Sequence, residues 1–356
     1  MNFQASLGRL KPGARTLLAA ALIATLAACS SVPSHKDAAL FVSAPLSDAE
    51  IMPVIDEDRG NIKVVVVDAA DTGDALSVQL KIGKQVTQGI EAMLNGRGME
   101  IVDDALAPKL DDALRKAEAL NSGKTAAYAG PKVAKYAIRP VVTSSTYSAT
   151  YQRGGQVAAK NALVAAMLSS PTGYGHAASV NTTIRVYEMP TLRLLGTASG
   201  QGAASVTDPV QPANAATGGT LLKQAVASAL QSASADLLNL LASKGYVVQR
   251  RYNPEGKISA YQVSMGTSDG LKAGDKIDIF TVRPADNAAL KQAAPNEEIY
   301  VASGVVSGML LGDATSWVVL DDEALAPKIR RGDLVKQKHE RTFLNKLTEK
   351  VSGLAP

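Results

Sequence analysis

Near residue 245 the periodicity of this chain changes, so two kinds of packing unit are required rather than one. Upstream, strand-like and helix-like stretches alternate. Ile62-Lys63-Val64-Val65-Val66-Val67 is a β-branched run fit for a strand buried on both faces. Ile82, Val86, Ile90, Met93 and Leu94 recur at helical spacing, with Gly96 and Gly98 punctuating the end. Met99-Glu100-Ile101-Val102 predicts a second strand, and Leu106, Leu110, Leu114 and Ala117 form one face of a second helix. Residues 136–142 predict a third strand in which Pro140 marks an edge or a bulge. Two more strands are predicted at 180–188 and 192–205, joined by a turn at Met189-Pro190-Thr191. Leu222, Val226, Leu230, Ala233, Leu237 and Leu241 then mark a long helix ending near Gly245. The expected result is a mixed sheet with helices packed on it.

Downstream no strong helical period remains. Residues 247–252, 257–264, 276–282, 299–311 and 316–320 read as short strands, separated by turns such as Gly274-Asp275, Gly312-Asp313 and Gly332-Asp333. That pattern predicts a small antiparallel barrel, with Trp317 and Phe280 in its core. The fold class is therefore α+β: a mixed sheet with packed helices, followed by a small antiparallel β-barrel-like domain. A chain of 356 residues that is 46% apolar and 20% charged has enough material for both.

Ahead of both lies a leader. Arg9, Lys11 and Arg15 precede an apolar run over residues 17–28 that is too short for a membrane-spanning helix, which needs about 20 residues. This is the signature of a signal peptide. It ends at Leu26-Ala27-Ala28-Cys29, and Cys29 is the one cysteine in the chain. That box resembles the bacterial lipoprotein processing site, which implies that Cys29 becomes the first mature residue and carries acyl chains. More than one chain makes such an anchor stable, at about 0.8 kcal/mol per buried CH₂. Ser30 in place of Asp implies sorting to the outer membrane, with the body facing the periplasm. Residues 30–58 are small and polar, with Pro33, Pro45 and Pro53, and read as a tether.

Several chemistries are excluded by what the chain contains. The formal charge of +4 includes the three leader cations, so the mature chain is close to neutral and bulk charge gives no reason to expect nucleic-acid binding. One cysteine and three histidines (His35, His176, His339) cannot form a Cys/His metal cage. Asp321-Asp322-Glu323 is an acidic run, but successive strand residues point to opposite faces, so a solvated turn is the reading. Gly200-Gln201-Gly202 begins like a dinucleotide loop, lacks the third glycine and leads into no helix. No phosphate loop or nucleophile elbow is present. The expectation is a protein that is not an enzyme and binds no cofactor or metal.

The run 62–68, the helix leading to Gly98-Met99-Glu100-Ile101-Val102-Asp103, the strand Lys135-Tyr136-Ala137-Ile138, and the late pair Thr183-Ile184-Arg185-Val186-Tyr187 and Leu195-Gly196-Thr197-Ala198-Ser199-Gly200 together resemble the curli-secretion lipoprotein family (CsgG) and its soluble relatives, among them LpoB and flagellar outer-membrane lipoproteins. The later Gly-Leu-Lys-Ala-Gly-Asp turn is similar to one in the small β domain of the flagellar protein FlgT. The resemblance implies a CsgG-like domain over 60–245. It also implies an oligomer and periplasmic or envelope protein partners.

Curli-type channels need two membrane hairpins per subunit, each with strands of about 10 residues. One candidate segment exists at 147–178, carrying Tyr147, Tyr151, Val157, Leu163, Leu168 and Tyr174, with an Ala-rich loop or short helix at a subunit contact as the other reading. The second hairpin would fall at 199–219, where no alternating apolar face exists. A single hairpin leaves open edges in lipid, so a periplasmic body is favoured over a channel subunit, which stands as the alternative. The C-terminal stretch is basic, and Arg330, Arg331, Lys336, Lys338 and Arg341 are candidates for an anionic partner, with a solvated tail as the other reading. The expected organisation is a signal peptide (1–28), tether (29–59), CsgG-like α/β domain (60–245), small β domain (246–338) and basic tail (339–356).

Overall fold

The computed structural model describes residues 40–52, 62–102, 107–119, 130, 134–153, 172–284, 296–308 and 311–341. The leader and Cys29 lie outside these, as do Val157, Leu163 and Leu168. Contacts divide the chain into a sheet unit (54–244, 268–270 and 336–356) and a barrel unit (1–53, 245–267 and 271–335).

The sheet unit is built on five strands, β2 (Lys63–Val66), β3 (Glu100–Ile101), β4 (Tyr136–Gln152), β5 (Gly173–Glu188) and β6 (Arg193–Asp208), in the order β3-β2-β4-β5-β6. Strand β2 runs parallel to β3 and β4, whereas β4, β5 and β6 are antiparallel neighbours. Its helices are α1 (Ala75–Gln79), α2 (Ile82–Asn95), α3 (Ala107–Ala119) and α4 (Ala215–Leu240). The valine run of β2 explains the layering, because alternate side chains face opposite ways. Val64 and Val66 join Ile82, Val86, Ile90 and Leu94 of α2 and Leu222, Ala229 and Leu237 of α4 in one core. Val65 and Val67 join Leu110 and Leu114 of α3 in another. Pro140 sits in β4 past Ile138, the last residue paired with β2, where a missing N–H costs least.

Helix α4 lies unusually close to β6. A Cβ at Gly202 would stand 1.9 Å from the Ala225 carbonyl oxygen, and one at Gly200 would stand 2.2 Å from that of Ala229. The Gly200-Gln201-Gly202 segment, part of the strand predicted at 192–205, is thus a strand whose missing side chains admit a helix backbone. Strands β4 and β5 extend well beyond the predicted 136–142 and 180–188. Their Ser, Thr and Ala residues carry little hydrophobic signal, yet the backbone ladder continues unbroken to Gln152↔Gly173 apart from one shift near Thr143.

The barrel unit comprises β7 (Lys244–Asn253), β8 (Ile258–Val263), β9 (Lys276–Arg283), β10 (Glu297–Val306), β11 (Ser316–Leu320) and β12 (Leu334–Lys338), ordered β7-β12-β9-β10-β11-β8, with β8 closing back on β7. Its core holds Val247, Tyr261, Met265, Ile277, Ile279, Val306 and Val335. The buried Asp333 carboxylate accepts from Thr281 Oγ1 (2.9 Å) and the Arg330 N–H (2.7 Å), and burial pushes its pKa up.

Three expectations need correction here. The sequence reading assigns five strands, and the structure has a sixth, β12, hidden by its charged composition. Part of the tether is folded: β1 (Val42–Ala44) pairs antiparallel with β7, and Phe41 is buried against Ala260 and Trp317. Ser47 and Ala49 also exchange backbone bonds with Arg331, at 2.7 and 2.8 Å. Trp317 is consequently buried, but beneath the N-terminal segment instead of in the main barrel core. Phe280 is half-buried on the surface, edge-on to the exposed Tyr300 ring with centroids 5.9 Å apart.

Candidate functional site

Beyond the α2 core, β4, β5 and β6 continue as a three-stranded ribbon, and a polar hub sits where the ribbon meets the starts of α1 and α4. Asp74 caps α1: its Oδ1 accepts from the Ser77 N–H (2.8 Å) while its Oδ2 accepts from the Tyr147 N–H (2.6 Å) on β4. Burial alone would raise this carboxyl, but the Ser77 and Tyr147 donors outweigh it and its pKa is lowered. Ser145 Oγ donates to Ser77 Oγ at 2.8 Å, fastening α1 to β4 a second time.

His176 on β5 is only 1% exposed, and both ring nitrogens are used. The Gln211 carbonyl, 3.0 Å from Nε2, can only accept, so Nε2 carries the proton. Nδ1, 2.8 Å away from Tyr147 Oη, then accepts the tyrosine hydrogen. Tyr147 Oη in turn receives the Asn214 N–H at 3.4 Å, and Asn214 caps α4 through the Thr217 N–H at 2.8 Å. On the same connection Asp208 accepts from the N–H groups of Val210 and Gln211, which lower its pKa. This chain of bonds joins the starts of α1 and α4 to the ribbon and so sets their geometry.

A second polar cluster holds α3 to the sheet. Arg139 of β4 reaches Asp111 Oδ1 (Nε, 2.9 Å) and Glu118, and Arg185 of β5 reaches Glu118 Oε1 at 2.9 Å. The Tyr187 hydroxyl donates to the same carboxylate. Burial would raise Glu118, yet the hydrogen bonds from Arg139, Tyr187 and Arg185 prevail and hold its pKa at about 2. Burial and the adjacent carboxylate push the Tyr187 hydroxyl upward.

Of the residues singled out from sequence, Tyr147, Tyr151 and Tyr174 lie together on the ribbon, with Tyr151 edge-on to Tyr174 at 5.2 Å. Tyr147 faces the hub, which a lipid-facing position would not allow. Along the described stems one face carries Tyr147, Tyr151 and the buried His176, and the other carries Ser148, Thr150 and Gln152. Neither is the continuous apolar band that a membrane strand needs. Residues 199–208 complete β6 and residues 215–240 form α4, so the second hairpin a channel needs does not occur there.

The basic C-terminal group is dispersed rather than gathered. Arg331 pairs with Asp48 at 3.0 Å, Arg341 pairs with Asp236, and the Arg330 N–H serves Asp333. Lys336 and Lys338 belong to β12 and have partners of their own. Of the tail expected at 339–356, residues 342–356 lie outside the described residues, and at its start the His339 N–H donates to Asn239 Oδ1 at 2.7 Å. The acidic run also diverges, with Asp321 on Lys276, Asp322 capping a short 3₁₀ turn and Glu323 accepting from Ser259.

Among the described residues no group of three or more His, Cys, Asp or Glu is arranged to hold a metal ion. No described helix is long and apolar enough to cross a membrane, which leaves strands out of account. An open groove of about 550 Å³ runs between β6 and the start of α4, lined by Val206, Ala216, Thr217, Thr220 and Gln224. Sequence reasoning missed both polar clusters, although Asp74 and Asn214, each three residues before the N–H it caps, carry a readable helix-start signal.

No family model matches the chain, and no curated protein matches it. Similar solved structures include a neuraminyllactose-binding hemagglutinin homolog from Helicobacter pylori, 11% identical over 52% of this chain and 87% of that one, with a TM-score of 0.30. A lipoprotein from Neisseria meningitidis is 12% identical over 45% of this chain and 91% of its own, with a TM-score of 0.23. The PelC dodecamer from Paraburkholderia phytofirmans is 12% identical over 50% of this chain and 93% of its own, with a TM-score of 0.20. At such scores these likenesses assign this chain neither a family nor a function.

Proposed function

We propose that this protein is a non-enzymatic outer-membrane lipoprotein of CsgG-like type, held by acyl chains on Cys29. Its periplasmic body binds protein partners in the assembly or export of a surface structure or in envelope biogenesis, and it works as a homo-oligomer. The observation that carries the reading is the leader ending in Leu26-Ala27-Ala28-Cys29. The polar clusters support a scaffold role, because each positions an element of the sheet unit. The ribbon stems, lacking an apolar band, argue against the channel alternative.

Mass spectrometry of the N-terminal peptide from the native host is the test. A di- or triacylated Cys29 is expected, and Cys29→Ser is expected to move the protein from the membrane fraction to the soluble one. An unmodified Cys29 in the native chain overturns the proposal. Discrete conductance steps in planar bilayers would replace it with the channel reading.

A further inference from the structure

We infer that the barrel unit is the part of the molecule held at the lipid surface, with its β7–β8 end turned toward the bilayer. This rests on acylation of Cys29, proposed above. The argument is one of chain direction and length. Strand β1 is antiparallel to β7, with Ala44 opposite Arg250 and Val42 opposite Tyr252. Followed back toward the N-terminus, the chain therefore runs along β7 toward Asn253 and leaves the barrel beside the turn that leads to β8. Phe41, buried beneath Trp317, fixes the exit point, and the Arg331–Asp48 pair and the Ser47 and Ala49 backbone bonds fix the segment behind it.

Leu40 lies eleven residues on from Cys29, a reach of at most ~40 Å when fully extended. Were the strand not docked, the next fixed point would be Ile62, thirty-three residues from the anchor and ~120 Å away at full extension. Docking thus shortens the leash about threefold and ties it to one end of the barrel. That end is also where Leu40 and Val42 stand 46% and 54% exposed, two large apolar side chains that water disfavours and a lipid interface accepts. The occupant of this surface is the phospholipid leaflet that carries the anchor.

The test uses the full chain, processed and acylated in cells and reconstituted in phosphatidylethanolamine/phosphatidylglycerol vesicles containing an energy-transfer acceptor lipid. An acylated Cys29 sulfur is a thioether, so an introduced cysteine is the single reactive thiol for a donor dye. Glu255→Cys labels the β7–β8 turn, and Ala314→Cys labels the turn between β10 and β11 at the other end of the barrel. Strand β8 alone, six residues long, separates the ends by about 20 Å, so transfer from position 255 is expected to exceed that from 314 about twofold. Inserting ten Gly-Ser residues after Lys36 lengthens the leash without touching the fold and is expected to lower the transfer from 255; Phe41→Ala with Val42→Pro is expected to do the same by undocking β1. Equal transfer from the two ends of an acylated chain, or no loss on lengthening, overturns the inference and leaves acylation standing. A chain found without acyl groups overturns both.

Discussion

The two faces of the five-stranded sheet are fastened by different physics. Over the α2/α4 core, past the polar hub at the start of α4, the contacts are apolar, and at Gly200 and Gly202 the α4 backbone occupies the space of the absent side chains. On the α3 face a valine and leucine core is supplemented by Glu118, Asp111, Arg139 and Arg185. Shape complementarity is indifferent to pH and salt but intolerant of added volume. A charge cluster has the opposite sensitivities. The contrast teaches that one sheet can be broken selectively, one face at a time.

The largest effect is expected from Gly202→Leu. With the Ala225 carbonyl 1.9 Å from where its Cβ would be, the helix must lift from β6, at a cost of roughly 3 kcal/mol or more. Urea denaturation followed by circular dichroism should show this loss equally at pH 7 and pH 5. An effect under 1 kcal/mol would mean that α4 does not pack as closely as described.

Glu118→Gln comes next. It keeps the shape of the side chain but removes the charge that faces two guanidinium groups, for an expected loss of about 2 kcal/mol. Hydrogen exchange should report faster exchange in α3 with little change in α4. The pH dependence carries the same information. The Glu118 pKa is held below its ordinary 4.5, at about 2, so its contribution is fully present above pH 4.5 and is lost as the pH falls from 4.5 toward 2. Acid titration of the parent protein should loosen α3 ahead of α4, and Glu118→Gln should remove that order. Simultaneous loss of both helices would show that the faces are not independent.

How far these features could be read beforehand depends on their range along the chain. Helices α2 and α4 were legible because Val86, Ile90 and Leu94, or Leu222, Val226 and Leu230, repeat locally, and so was the barrel apart from β12, from short strand-like runs between Gly-Asp turns. Strand β1 was not, since Phe41-Val42-Ser43-Ala44 is too short to rise above a Pro-containing polar stretch; only Trp317 and Ala260, more than two hundred residues on, make sense of Phe41. The hub is equally non-local. Asp74, Tyr147, His176 and Asn214 belong to four elements, and no spacing rule unites a capping aspartate with a buried histidine. The Glu118 cluster was missed for the same reason: Arg139 and Arg185 each read as a polar residue interrupting an apolar strand, and their carboxylate lies on a helix contributed by another part of the chain.

Asp74 offers the smallest and most discriminating change, because its two oxygens serve two elements separately. Oδ1 caps α1 and Oδ2 ties that cap to the Tyr147 backbone. In Asp74→Asn the amide oxygen still accepts from the Ser77 N–H, but the amide nitrogen cannot accept from Tyr147, so the cap survives and the tie to β4 is cut. Asp74→Ala removes both. The alanine variant should lose about 1 kcal/mol, in the ordinary range for a lost N-cap, and the asparagine variant less. Backbone amide exchange decides between them: faster exchange at Tyr147 is expected in both variants, whereas faster exchange at Ser77 is expected in the alanine variant alone. If asparagine left Tyr147 fully protected, the Asp74 carboxylate would not be what ties α1 to β4, and the Ser145–Ser77 bond would hold that junction instead.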